Sequence, residues 1–307
     1  MNEAKVGLLR ALIAHDSWDY PPTTVELLAS YDAGSISMEK IPSRSELSAT
    51  LEQLREENII TTCLGRWTFT NRVVLIGEHA MREALFPRKL RKARRVVQWL
   101  RHIGGLRFVA LCNTTALAHA RDAGDLDFFI IVKQGTLWQS RLWSVLPFKL
   151  FSDRPSPTRI RKDAACFSFF IDDHALDLAP LASRENDPCF RHWFFSFLPL
   201  LDDGISASFW RANATLRARH PYAEAWRVNP DITCRPSFFS LPCPTFFDPL
   251  ARKAQEAAFP EAIKCQMNQG NHDVVVGDHV LKFHVEDGRR SFFERYKVRC
   301  HQYEVEP

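Results

Sequence analysis

Several signatures of common protein classes are missing from this sequence of 307 residues. No run approaches the roughly 18 uninterrupted apolar residues that cross a bilayer, because the two most apolar stretches, 142–151 and 190–201, contain proline and charged residues. The N-terminus lacks the small-residue cleavage pattern of a secretory signal. The phosphate-binding P-loop, the dinucleotide-binding Gly-x-Gly-x-x-Gly turn and the hydrolase Gly-x-Ser-x-Gly elbow are also absent. We therefore expect a cytoplasmic protein with no membrane partner and a site of another kind.

Cysteine spacing and net charge exclude two further kinds of protein. The eight cysteines form no Cys-x-x-Cys pair and no Cys/His cluster at zinc spacing, which favours reduced thiols over disulfides or a zinc site. The formal charge is only +4, from 40 basic and 36 acidic residues, so the total does not indicate a polyanionic partner. Any basic surface must be local.

Residues 1–73 have the element order of a winged helix. A first amphipathic helix precedes Pro21-Pro22, a short helical pattern follows at 23–30, and Ser43 starts a third helix with capping residues. Two β-rich pieces around Gly65 then predict a hairpin. The third helix carries four glutamates, which would face DNA phosphates unfavourably, so packing or protein docking is the default interpretation. These glutamates are Glu46, Glu52, Glu56 and Glu57.

A strongly basic helix is predicted after Pro87. Six of the eight residues in 88–95 are basic, while Leu90, Ala93, Val97 and Leu100 fall on one helical face. We favour a solvated outer face for these charges. A nucleic-acid surface formed through residues 1–95 is the alternative.

The middle of the chain predicts an α+β fold. After Gly104-Gly105, short apolar runs such as RFVALC, DFFIIV and ACFSFFI are typical of strands separated by loops or helices. We expect a mixed-sheet core with flanking helices over residues 74–204 and a helical C-terminal part over 205–307. Within the latter, the proline-rich residues 229–249 predict an extended connection.

The residues with the clearest chemistry are Asp125 and Asp127, at the start of the most apolar predicted strand. Alternate strand residues share a face, so both carboxylates point to one side while Leu126 packs on the other. Two carboxylates held this close repel each other unless a cation lies between them or one is protonated. Mg²⁺ favours one or two carboxylates together with phosphate oxygens, so one or two Mg²⁺ ions and a nucleoside triphosphate suit this pair.

The segment 107–143 resembles the nucleotidyltransferase superfamily with the DNA polymerase β-like palm, and more closely bacterial nucleotidyltransferase-domain proteins of unassigned substrate. That family has a strand, Gly-Ser, a short helix, and an Asp-x-Asp on the next strand. Counting back from Asp125 places Asn113 at the Gly position and Thr114 at the Ser position. The segments ACFSFFIDDHALDL, LPLLDDGISASFWRANATL and KFHVEDGRRSFFERY are similar to later parts of the same group.

The resemblance implies roles for individual residues. Asp125 and Asp127 would bind metal and act in catalysis, and Asn113 and Thr114 would bind the nucleotide phosphates. Arg141, in a family-like GTLWQSR segment, would neutralise phosphate charge, with Lys133 a weaker candidate. For a third catalytic carboxylate we choose Asp172, at the end of the third strand, over Asp163, which precedes it.

The expected activity is Mg²⁺-dependent transfer of a nucleoside monophosphate from a nucleoside triphosphate to an unknown acceptor, which is a small molecule, a protein or RNA. Two alternatives remain open. Asn113, in place of the usual glycine, motivates a degenerate member that binds a nucleotide or a partner without turnover. The N-terminal unit and the basic helix motivate a nucleic-acid-binding regulator.

Overall fold

A computed structural model describes residues 2–34, 40–150, 161–184, 186–267, 269, 272–284 and 288–307. Within these residues the fold is mixed α+β, with one six-stranded mixed sheet and a separate hairpin. No helix in the described ranges combines the length and the apolar character needed to cross a bilayer.

The N-terminal unit contains three helices and a hairpin, in the expected order. Its elements are α1 (Glu3–Asp16), α2 (Thr24–Ala29), α3 (Arg44–Glu56), β1 (Ile60–Cys63) and β2 (Arg66–Phe69). Thr23 and Ser43 start α2 and α3 with complete capping boxes, in which Glu26 and Glu46 accept from the backbone N–H of the cap residue. The expected order of elements is therefore present, while the winged-helix arrangement stays a prediction.

The central sheet begins after two helices, α4 (Val74–Glu83) and α5 (Phe86–Leu100). Its strands are β3 (Leu106–Leu111), β4 (Leu126–Val132), β5 (Ala165–Asp172), β6 (Leu198–Asp202), β7 (Val274–Val276) and β8 (Val280–Phe283). The spatial order is β6-β3-β4-β5-β8-β7, with β4 and β5 parallel and every other pair antiparallel. The predicted mixed sheet is confirmed.

Helices cover both faces of this sheet. On one face, Phe128 and Ile130 of β4 pack in a core shared with α5, α7 (Leu137–Leu150), α11 (Asp248–Ala257) and α12 (Glu261–Met267). On the other face, Phe129 and Ile131 pack in an aromatic core with α8 (Pro188–Phe195), α9 (Ser206–Ala212) and α10 (Ala214–Arg217). Burial on both faces explains why these strands are continuous apolar runs.

The C-terminal part differs from the expected helical unit. Residues 274–283 form β7 and β8, and β8 pairs with β5 of the central sheet. The last helix, α13 (Arg289–Gln302), buries Phe292, Tyr296 and Cys300 in the core of the N-terminal unit. The prediction of a separate helical part over 205–307 is thus corrected, because short strands paired with a distant strand carry little signal in the sequence.

Candidate functional site

Asp125 and Asp127 lie together at the start of β4. Leu126 between them is fully buried in the α5–α7 core, whereas both aspartates are partly exposed on the opposite side. Burial and the neighbouring charge of Asp127 raise the pKa of Asp125 to about 6. The two groups are therefore electrostatically coupled, as two close carboxylates must be.

No lysine or arginine of the described chain forms an ion pair with either aspartate. The nearest buried cation, Lys89 of α5, donates instead to Asp163 Oδ1 at 2.6 Å and to the carbonyl oxygen of Gly124 at 2.7 Å. Charges on Lys89 and Lys92 lower the pKa of Asp125 but only partly oppose its burial. The carboxylate pair thus keeps an acceptor set suited to a hard divalent cation.

The turn from β3 into the short helix α6 (Asn113–Ala116) is tied to both aspartates. Asn113 donates from Nδ2 to Asp127 Oδ2 at 2.9 Å, and Thr115 Oγ1 donates to the carbonyl oxygen of Asp125 at 3.1 Å. The backbone N–H of Cys112 donates to the carbonyl oxygen of Asp127 at 3.0 Å. The turn and the start of β4 therefore form one hydrogen-bonded unit.

Asn113 adopts a backbone conformation that favours glycine. Its φ is +58°, in the left-handed region that Asn tolerates better than most other residues. This is the position where the nucleotidyltransferase pattern has Gly. The sequence departs from the pattern here, yet the backbone conformation is one that Gly would adopt readily.

A cavity of about 390 Å³ opens beside this turn, and Asn113 and Thr114 form part of its wall. Its volume lies within the usual range of small-molecule sites. Five aromatic rings from the α1–α2 connection, β5, α8 and α13 line it. They are Trp18, Phe169, Phe190, Trp193 and Phe292. Apolar rings with a few polar groups are the composition typical of a ligand pocket.

The wall formed by β8 and α13 is basic. Arg289 lines the cavity, lies 3.1 Å from Asp273 and approaches the Phe190 ring at 5.9 Å. Arg295 donates to the carbonyl oxygen of Ser17 at 2.8 Å, which joins α13 to the N-terminal unit. Lys282 and His284 belong to the same wall. The cavity therefore combines aromatic rings with cationic groups.

Asp172 does not join the carboxylate pair. In the parallel β4–β5 register it lies beside Val132, whereas Asp127 lies beside Cys166. Five residues of strand, about 17 Å, separate these two positions. A register irregularity between Asp127 and Phe129 also breaks the alternation from which its face was predicted. Asp172 is fully buried, so its assignment as the third catalytic carboxylate is corrected.

The strand position beside Asp127 carries a thiol in place of an acid. Burial and the charge of Asp127 raise the pKa of Cys166. Further along β5, Ser168 Oγ lies 3.0 Å from His284 Nε2, at the cavity wall. Asp163, the alternative acid, lies before β5 and contributes to the raised pKa of Asp125. It is 5% exposed and already forms ion pairs with Lys89 and Arg88.

Arg141 lies in the opposite helical layer. Its Nη1 donates to Gln255 Oε1 at 2.6 Å, and its guanidinium lies 4.4 Å from the centre of the Phe283 ring. These contacts hold it between α7 and α11, so its assignment as a nucleotide-binding residue is also corrected. Lys133 follows the C-terminal end of β4, away from Asp125 and Asp127.

No cluster of three or more His, Cys, Asp and Glu side chains that could hold a metal occurs in the described ranges. The site therefore provides two carboxylates as protein ligands for a metal ion. This number fits Mg²⁺, which keeps waters and substrate oxygens as its other ligands, better than it fits a closed protein cage.

The basic wall is the part of the cavity that sequence reasoning missed. Arg289 and Arg295 lie more than 160 residues after Asp125, and no local pattern connects them. The only signal was the concentration of basic and aromatic residues in KFHVEDGRRSFFERY. Residues 285–287 of that segment lie outside the described residues.

The chain was compared with known proteins at three levels. No protein-family model, no curated protein and no solved structure matches it.

Proposed function

We propose that this protein is a Mg²⁺-dependent nucleotidyltransferase that moves a nucleoside monophosphate from a nucleoside triphosphate to an acceptor. The observation that carries the proposal is the contact between Asn113 and Asp127. A residue in a glycine-like conformation holds one of two coupled carboxylates at 2.9 Å, at the edge of a nucleotide-sized cavity.

The carboxylates and the turn have separate roles in this proposal. Asp125 and Asp127 would hold the cation, which supplies charge neutralisation at the phosphates when bound. The Asn113 amide orients Asp127, and Thr114 offers a hydroxyl at the cavity wall. Such a site would act mainly by positioning its substrates, as phosphoryl-type transfers require.

The cavity walls match the parts of a nucleotide. Trp18, Trp193 and Phe292 line the cavity with aromatic surface, which suits the base of a nucleotide. Arg289 and Arg295 also line the cavity, and besides their contacts with Asp273 and the Ser17 carbonyl oxygen, their guanidinium groups would bind phosphate oxygens. Both kinds of group line the same cavity as Asn113, which supports a nucleotide over a purely apolar ligand.

A second candidate is a degenerate nucleotide-binding protein without turnover. Cys166 occupies the strand position next to Asp127, and Asp172 lies at the other end of β5. A site with two carboxylates retains the groups for binding a metal–nucleotide complex. It lacks the third acid that the resemblance associates with activity.

Titration calorimetry with α,β-methylene analogues of the four nucleoside triphosphates tests both candidates. We expect Mg²⁺-dependent binding that weakens at least tenfold in Asp127→Asn, because the amide removes the charge that attracts the cation. Asp231→Asn, which changes an exposed aspartate outside the cavity, is the matched control and should bind as the wild type does.

Pyrophosphate release with authentic triphosphates then separates the candidates. Release in the presence of RNA, protein or small-molecule acceptors, lost in Asp127→Asn, supports the transferase. Binding without release under any of these conditions favours the degenerate protein. If no analogue binds in a Mg²⁺-dependent way, both candidates are wrong.

A further inference from the structure

An unusually long part of the chain contains no acidic residue. Between Glu83 and Asp122 there is no Asp or Glu, while nine lysines and arginines occur. Most of them lie on α5. Its inner face buries apolar residues together with Lys89, and the exposed outer face carries residues 91, 94, 95 and 98 at the spacing of helical turns.

Three arginines of this outer face lack carboxylate partners among the described residues. Arg91, Arg94 and Arg95 are exposed, and none forms an ion pair within the described parts of the chain. Arg88, on the same helix, behaves differently, because it pairs with Asp122 and Asp163 at 2.7 and 3.0 Å. Within the described residues, the positive charge of these three arginines is therefore not neutralised by an ion pair.

Two solvent-exposed aromatic rings lie next to the C-terminal end of α5. Phe238 is 94% exposed and Phe239 is 81% exposed, with ring centres 5.3 Å apart. Exposure of this degree is unusual for adjacent phenylalanines, since each large apolar side chain is stabilised by burial.

The segment that carries these rings is fixed to α5 by its backbone. Ser237 N donates to the carbonyl oxygen of Arg101 at 2.8 Å, and Leu241 N donates to that of His102 at 2.6 Å. His102 Nδ1 lies 3.0 Å from the carbonyl oxygen of Phe239. The rings are thus held at one end of the basic face.

We propose that the outer face of α5, together with Phe238 and Phe239, binds single-stranded nucleic acid. Phosphates would lie along Arg91, Arg94 and Arg95, and unpaired bases would stack on the two phenylalanine rings. Unneutralised arginines next to exposed rings match a strand that presents negative charge and π-faces together. An acidic protein partner would use the charges and leave the rings unexplained, and a duplex keeps its bases stacked inside.

This surface is distinct from the nucleotide cavity and does not depend on the proposed transferase activity. The two are nonetheless close at the start of α5, because Lys89 donates to the carbonyl oxygen of Gly124, the residue before Asp125.

Fluorescence anisotropy with labelled 12-nucleotide poly(U), oligo(dT) and a 12-base-pair duplex tests the proposal, in the absence of nucleotide and Mg²⁺. We expect at least one of the single strands to bind more tightly than the duplex. The Arg91→Ala/Arg94→Ala/Arg95→Ala variant should lose at least tenfold in affinity and reduce the salt slope by about 2, at roughly 0.7 per phosphate contact. The Phe238→Ala/Phe239→Ala variant should lose about tenfold or more through stacking.

Matched controls use the same chemistry elsewhere on the surface. Phe246→Ala/Phe247→Ala removes the other exposed phenylalanine pair, and Arg211→Ala/Lys253→Ala/Arg290→Ala removes three exposed cations from other helices. Both should bind as the wild type does, and circular dichroism melting confirms that each variant is folded. Asp127→Asn should also bind normally, which separates this proposal from the transferase.

Three results would overturn the proposal. They are duplex binding as tight as that of both single strands, equal losses in the test and control variants, and affinity insensitive to the loss of Phe238 and Phe239. RNA and DNA strands present the same phosphates and base faces. A preference between poly(U) and oligo(dT) identifies which of them is bound.

Discussion

The two ends of the parallel β4–β5 pair both carry two aspartates, but the surroundings of these pairs differ. At the end of β5, Asp172 accepts from His174 N at 3.0 Å and from His279, while Asp173 pairs with Arg107 at 2.7 Å. At the start of β4, Asp127 accepts from the neutral Asn113 amide, and no lysine or arginine of the described residues forms an ion pair with Asp125 or Asp127. The first pair is compensated within the fold, and the second keeps charge available for a ligand.

Whether two neighbouring aspartates serve the fold or a ligand depends on the groups that face them. A buried carboxylate must find hydrogen bonds or a cation within the protein, and Asp172 does so. Asp125, partly exposed and beside Asp127, has a raised pKa, which is typical of sites that bind or react. The comparison can be tested by changing each end separately.

The largest effect is expected from ligand-dependent stability at the start of β4. With Mg²⁺ and a nucleotide analogue at 100 times the dissociation constant, the wild type should gain about 2.7 kcal/mol of unfolding free energy. Asp125→Asn/Asp127→Asn should lose this gain, and Asp173→Asn should keep it. Thermal melts with and without ligand measure the difference, and equal gains in both variants would contradict the assignment.

Removing the buried carboxylate at the other end should destabilise the protein itself. Asp172→Ala leaves His174 N and His279 without their acceptor and should cost about 2 kcal/mol, with no ligand present. Urea denaturation measures the loss. A loss below about 0.5 kcal/mol would show that the hydrogen bonds to Asp172 do not stabilise the fold as the contacts indicate.

Neutralising Asp125 should raise the free energy of unfolding, whereas removing Asp172 lowers it. Its folded pKa of about 6 exceeds the ordinary value of 3.8, so the folded state holds the proton more tightly and stability falls as pH rises from about 4 to 6. Asp125→Asn should remove this dependence and stabilise the protein by about 1 kcal/mol at pH 7.5, after allowance for solvent screening. Urea denaturation across this pH range provides the measurement, and an unchanged pH profile would refute the coupling.

The smallest effect is expected at the turn. Asn113→Gly relieves the left-handed backbone but removes the hydrogen bond to Asp127, so the two contributions nearly cancel, to within about 0.5 kcal/mol. Asn113→Ala loses the bond and keeps the unfavourable φ, and should cost about 1 kcal/mol or more. If both variants are equally stable, the turn is not restrained as described.

Local patterns allowed much of the framework to be predicted. Capping residues at Ser43 predicted a helix start, a short helical pattern at 23–30 predicted α2, and the apolar runs predicted β3, β4 and β5. The shared side of Asp125 and Asp127 at the start of β4 followed from two-residue alternation around a buried Leu126. The strands β7 and β8 escaped prediction because three- and four-residue strands have almost no periodicity to detect.

The site was only partly predictable for a related reason. The third-acid prediction assumed unbroken alternation along β5, and a register irregularity next to Asp127 removed that basis. Arg141 was placed by its neighbours in sequence, although its position is fixed by Gln255 and Phe283, more than 100 residues later.

The amino-acid sequence by itself indicated the strands β1 to β5 and most of the longer helices, the carboxylates that share the start of a strand, and the helix on which basic residues concentrate. These properties depend on neighbours within a few residues, through backbone geometry and side-chain spacing. Only the tertiary structure decided which acids are compensated and which residues enclose the cavity, because those contacts join α13 and β8 to elements more than 100 residues earlier.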